Sequence, residues 1–132
     1  MDMKKWNLVP GKSIGPLEFG MDRASVRELI GEKFKPFKKS LFSKSLSDSY
    51  KSFHVYYSKE GVLIAIEFFD GVEITLDGQK IFPGNFEKAR SSIKGLNEQS
   101  GIYISKSMSV GITLSDADGI ETLLVGCKGY YD

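Results

Sequence analysis

The chain has 132 residues, a length suited to one domain, with 41% apolar and 27% charged residues. Its formal net charge of +1 argues against an acidic nucleic-acid mimic and against a generally basic nucleic-acid binder. One cysteine, Cys127, permits no internal disulfide, and one histidine beside it leaves no His/Cys zinc site.

The N-terminal Met-Asp-Met-Lys-Lys-Trp carries no apolar run resembling a signal peptide. No stretch approaches the ~18 apolar residues of a membrane span. The expectation is a cytoplasmic protein with no membrane partner. Residues 14–31 then read as a short strand, a glycine turn and a capped helix. Leu17 and Phe19 alternate with Glu18, the period of a half-buried strand. Asp22 suits the N-cap, and Gly31 suits the left-handed residue that ends a helix. Val26, Leu29 and Ile30 form the apolar stripe, so truncating Leu29 is expected to cost roughly 2–5 kcal/mol.

Phe34-Lys-Pro-Phe37 leads into a Ser/Lys-rich stretch, 38–52, that reads as a loop or a ragged strand. Charge is uneven here. Residues 32–59 hold seven Lys against Glu32 and Asp48, a balance of +5, whereas residues 60–132 hold eleven acids against six bases, a balance of −5. Lys33, Lys35, Lys38 and Lys39 form either a solvated face or a surface that steers a charged partner.

Strands follow at 53–58, 62–69 and 72–76, then a short strand at 80–82. A second helix is expected over 86–96, capped by Asn85, with Phe86, Ala89, Ile93 and Leu96 on one face. Strands at 102–105, 110–114 and 120–127 complete the chain. Glycines bracket the two helices alike, which suggests pseudo-repeats at about 14–77 and 80–128 within one domain, 1–132. The fold expected is α+β: one antiparallel sheet of about six strands with both helices on one face.

If Glu60-Gly61 forms a two-residue turn, Tyr57 pairs with Ile64, Val55 with Ile66 and Phe53 with Phe68. The same rule at Asp70-Gly71 puts the apolar faces out of step, so a longer loop or bulge is expected there. His54, Tyr56, Leu63, Ala65, Glu67, Phe69, Glu73 and Thr75 then share the face away from the helices, with Tyr103 a further candidate.

That register sets His54 opposite Glu67. A His–carboxylate pair can serve as a general base with its orienting group. No Ser, Thr or Cys nucleophile can be placed beside it, and the plain reading is a cross-strand pair on a solvated face. Asp116, Asp118 and Glu121 lack the full spacing of a calcium loop and read as a polar hairpin turn. Gly11-Lys12-Ser13 echoes the end of a phosphate-binding loop without its earlier glycine, Trp6 standing five residues before Gly11. No metal or cofactor is implied. Phe42, Tyr50, Tyr56, Phe69, Tyr130 and Tyr131 lie in expected loops, on the open face or near the last residues. They either anchor a partner or cover the sheet and one another.

The run Ile14-Gly-Pro-Leu-Glu-Phe-Gly-Met-Asp-Arg-Ala-Ser-Val-Arg-Glu-Leu-Ile-Gly31 resembles the opening of many small bacterial proteins. It is similar to the repeats of beta-lactamase-inhibitory-protein-like proteins and of small outer-membrane assembly lipoproteins. It also resembles the opening of cytoplasmic immunity proteins of polymorphic or contact-dependent toxins. The resemblance implies paired helices behind an antiparallel sheet whose open face binds another protein. The expectation is thus a non-enzymatic, cytoplasmic binding module, most concretely an immunity protein that occludes a cognate toxin. Its contact residues would be Phe42, Asp48, Tyr50, His54, Tyr56, Glu67, Phe69 and Glu73. The alternative is a small enzyme or ligand-binding domain with a site around His54 and Glu67.

Overall fold

The computed structural model describes residues 4–38, 46–115 and 119–132. In chain order the elements are β1 (Lys4–Val9), β2 (Ser13–Ile14), β3 (Leu17–Glu18), α1 (Arg23–Ile30), β4 (Lys35–Lys38), β5 (Leu46–Ser49), β6 (Phe53–Tyr57) and β7 (Leu63–Phe68). Then follow β8 (Val72–Leu76), β9 (Gln79–Phe82), α2 (Phe86–Arg90), β10 (Leu96–Gln99), β11 (Ile102–Ser105), β12 (Val110–Leu114) and β13 (Ile120–Gly126).

Of the described residues, 54% lie in strands or bridges and 11% in helix, in two sheets of five and eight strands. This overturns the expected α+β architecture with one sheet of about six strands. β1, β4 and β10 are not among the expected strands, and β5 falls within the stretch read as a loop or a ragged strand. β4 reads Lys-Pro-Phe-Lys and β10 reads Leu-Asn-Glu-Gln, and each lies at an edge of the larger sheet. Edge strands bury little, so they carry no apolar alternation; a neighbour's backbone makes them strands.

α1 is capped as its sequence suggests. The Asp22 carboxylate accepts from the Ser25 N–H at 3.2 Å, and Gly31 takes the left-handed conformation with φ 65°. Val26 and Ile30 enter the core, but Leu29 is 47% exposed. Eight residues give a stripe only two positions wide, and Leu29 falls beside it. α2 is capped by Asn85 but stops at Arg90, not Leu96. Ile93 still reaches the core, and Leu96 opens β10 instead of closing a helix.

The eight-stranded sheet runs β10-β11-β12-β13-β7-β6-β5-β4, antiparallel throughout. Across β6 and β7, Phe53 pairs with Phe68, His54 with Glu67 and Val55 with Ile66, as the alternation implies. Tyr57 pairs with Leu63, not Ile64, because the register shifts after Tyr56 and the 58–62 turn is longer than two residues. Leu63 therefore faces the core, fully buried.

No bulge repairs the mismatch at Asp70–Val72. β8 leaves the sheet altogether and joins the other one, in the order β3-β2-β1-β8-β9. It pairs parallel with β1, Trp6 lying beside Ile74. Glu73 and Thr75 belong to this second sheet, so neither shares a face with His54.

One buried cluster joins both sheets and both helices. Trp6 reaches across it, its ring 5.4 Å from Phe53 and 5.9 Å from Phe68. Gly15 admits that ring: a Cβ there would meet Trp6 at 2.4 Å, and its φ is +58°. Tyr103, expected on the open face, packs inward with its ring 4.6 Å from Phe86.

Leu29→Ala should accordingly cost less than about 1 kcal/mol, whereas Phe68→Ala should cost about 3–5 kcal/mol. Denaturant midpoints with unchanged slopes measure both; a Leu29 cost near that of Phe68 would place its side chain in the core.

Candidate functional site: the outer face of the larger sheet

Pairing registers align one row of residues across all eight strands. It runs Lys35, Ser49, His54, Glu67, Leu124, Gly111, Ile104 and Asn97. Their alternate neighbours Val55, Ile66, Phe68, Leu123, Val125 and Ile112 belong to the core cluster. Alternation thus turns the row to the opposite, outer face. Tyr56 and Ala65 are buried yet stand outside the core cluster, which sets them on this face too.

Aromatic rings gather at the row's centre. His54 lies 4.7 Å from Phe37 and 4.6 Å from Phe69, edge-on to the latter. Tyr56 stands 6.4 Å from both His54 and Phe37. Its hydroxyl donates to Glu67 Oε1 at 2.7 Å. Burial, then this hydrogen bond to a carboxylate, push the Tyr56 phenol far above its ordinary range. Burial also holds the His54 imidazole below its ordinary 6.5, against the opposing pull of Glu67. His54 is thus mainly neutral at pH 7. Among the described residues it is Tyr56, not His54, that hydrogen-bonds the carboxylate, and the imidazole's close neighbours are rings. Among the described residues, no base–nucleophile pair is assembled here.

The chain's last residues supply a second bank of rings. Tyr130 and Tyr131 stand perpendicular, 5.1 Å apart. They rest on two strand glycines. A Cβ on Gly111 would meet the Tyr131 hydroxyl at 2.1 Å, and one on Gly126 would meet Tyr130 at 2.7 Å. Burial raises the Tyr131 phenol well above its usual range, with the nearby Tyr130 and Glu67 adding to it. The outer face is therefore partly roofed by its own chain. Gly in a strand interior is the sequence signal for such close approach. Phe37 is likewise absent from the expected contacts; it stands two residues from Lys35 and so shares its face.

Of the expected contact residues, His54, Tyr56, Glu67 and Phe69 come together, although Tyr56 is 6% exposed and forms floor more than rim. Glu73 lies in the other sheet, and Phe42 lies outside the described residues, as do Lys39, Asp116 and Asp118. Asp48 and Tyr50 are corrected more sharply. Both are buried on the opposite side of the sheet, Asp48 at 0% exposure. The Arg27 guanidinium donates to both Asp48 oxygens at 2.8 Å, and the Tyr57 hydroxyl donates at 2.9 Å. Arg27 itself lies over the Phe34 ring, 4.3 Å from its centre. This network pins α1 to β5 and β6. Burial, reinforced by the Asp48 charge, pushes the Tyr50 phenol to about 12, and its oxygen has no hydrogen-bond partner among the described residues. An acid in a polar strand reads as surface; only the arrival of Arg27 makes it interior.

Among the described residues, no group of three or more His, Cys, Asp or Glu is placed to hold a metal ion. Among them, too, no helix is long and apolar enough to cross a membrane. Compared with protein-family models, curated proteins and solved structures, the chain matches none.

Two measurements follow from the two sides of the sheet. Asp48→Asn should cost about 3 kcal/mol, the low end for a broken buried pair because Arg27 remains partly hydrated. His54 binds its proton less readily folded than unfolded, so stability should fall as pH drops through about 6.5 and level off below the lower folded pKa. His54→Gln should remove that part of the pH dependence in parallel denaturations; an unchanged profile would place the imidazole in a hydrated setting.

Proposed function

We propose that the protein is a non-catalytic binding module that engages a protein partner with the outer face of its larger sheet. The supporting observation is the group of half-buried rings, Phe37 and Phe69 against His54, whose cross-strand partner is Glu67. Neither the helices nor the second sheet packs there, since both contribute to the core on the other side. Large rigid rings beside an oriented polar group make effective interface anchors: they bury much area and lose few torsions. The opening motif 14–31 supports a concrete form of this reading. It is a cytoplasmic immunity protein that occludes the working surface of a cognate bacterial toxin.

The contact set differs from that read in the sequence. Phe37, His54, Glu67 and Phe69 form its centre, and Tyr130 and Tyr131 form one rim. Asp48, Tyr50 and Glu73 fall away from it. Lys35, at the far end of the row, governs encounter more than residence.

Co-expression with the product of the adjacent reading frame tests the reading. A toxin gene product should co-purify with the protein, and Phe69→Ala should weaken binding about thirtyfold, the equivalent of ~2 kcal/mol. Lys35→Ala should mainly change the association rate and its salt dependence. Binding unchanged by Phe69→Ala would move the interface elsewhere, and failure of any neighbouring gene product to bind would overturn the immunity reading.

A further inference from the structure

Glu67 is the acid at the centre of the outer face, and its surroundings point to one kind of ligand. Tyr56 holds Oε1 at 2.7 Å, which fixes the carboxylate's orientation. Among the described residues Oε2 has no hydrogen-bond donor, and no Lys or Arg forms an ion pair with Glu67. The row's nearest base, Lys35, stands three strands away, roughly 14 Å at the usual strand spacing. By contrast, the buried Asp48 is fully engaged by Arg27 and Tyr57.

Rings flank this carboxylate on both sides. His54 is its cross-strand partner on β6, with Phe37 and Phe69 against it. On the β13 side stands Leu124, whose own neighbour Gly111 carries the Tyr131 ring. An oriented carboxylate between aromatic banks suits a cation: the carboxylate supplies the charge, and the ring faces supply cation–π attraction. An anionic or purely apolar group gains less and leaves the half-buried carboxylate desolvated with no countercharge.

We infer that the partner inserts a Lys or Arg side chain between these banks to pair with Glu67. This rests on the binding-module reading above and names the chemistry that the module recognises. Charge complementarity carries it: among the described residues, no base forms an ion pair with Glu67. Tyr56 is a positioning residue here, because it orients the carboxylate before the partner arrives and so lowers the ordering cost of binding. The same arrangement selects against partners that offer an acid at this point, since two carboxylates would then face each other.

N-acetyl-arginine amide and N-acetyl-lysine amide test the site without the partner. Titrated into the folded protein, either should give saturable NMR shifts at His54, Tyr56 and Tyr131, with Kd on the order of millimolar. N-acetyl-glutamine amide at the same concentrations should give none that saturate. Glu67→Gln, which keeps an acceptor for the Tyr56 hydroxyl, should weaken the basic probes at least fivefold. Phe69→Leu, with the carboxylate intact, should weaken them about twofold and carries the test should Glu67→Gln not fold. Equal response to the neutral probe, no saturation with either basic probe, or indifference to both substitutions would overturn the inference. A neighbouring gene product that binds with Glu67→Gln unimpaired would overturn it while leaving the binding-module reading standing. Absence of any such partner would leave the probe result to decide the site's chemistry alone.

Discussion

The contact of Trp6 with Phe53 and Phe68 holds the molecule together across its middle. Trp6 stands on β1, at the centre of the five-stranded sheet, and its ring touches β6 and β7 of the other sheet. Each aromatic pair adds on the order of 1 kcal/mol beyond the area it buries. The larger consequence is geometric. The ring fills space that a side chain at Gly15 would otherwise claim, so the β2–β3 hairpin can close only over glycine. With β1 seated, its free edge accepts β8 in parallel, and the chain is drawn out of the eight-stranded sheet.

The crossing of β8 determines which surfaces remain for function. With β8 removed from β7, the free side of β7 pairs with β13, and the two four-stranded meanders fuse into one sheet. The fusion extends a single outer row from Lys35 to Asn97 and sets Glu67 beside Leu124 at its centre. It also brings Gly111 and Gly126 beneath the last tyrosines. A partner approaching this face meets aromatic side chains drawn from β4, β6, the 69–71 loop and the chain's final turn.

The two faces treat charge in opposite ways. Inside, Asp48 is desolvated and satisfied by three donor contacts, an arrangement that locks α1 in place and is costly to break. Outside, Glu67 is half-buried and, among the described residues, has one donor, Tyr56. A buried, saturated carboxylate has no capacity left for a partner. A half-buried, oriented one has. The distinction between structural acid and recognition acid is therefore set by the number of donors each meets, because both stand in strands beside aromatic residues.

Local sequence determined the local features. Asp22 and Gly31 bound α1, Asn85 caps α2, and apolar alternation sets Phe53 against Phe68 and His54 against Glu67. Each depends on residues a few positions apart, where backbone propensity and period are readable. The out-of-step alternation at Asp70–Val72 was legible as well, but not its meaning. A loop, a bulge and a departure to another sheet leave the same local pattern, and only β1, more than sixty residues away, selects the last. Polar strands β4 and β10 were invisible, and β5 legible only as a loop or a ragged strand, for a related reason: their stability comes from neighbours' backbones and not from their own apolar faces. The site divides along the same line. The His54–Glu67 pairing is a matter of period. The burial of Asp48 under Arg27, and the seating of Tyr130 and Tyr131 on two glycines, are decided by long-range contacts that no local pattern encodes.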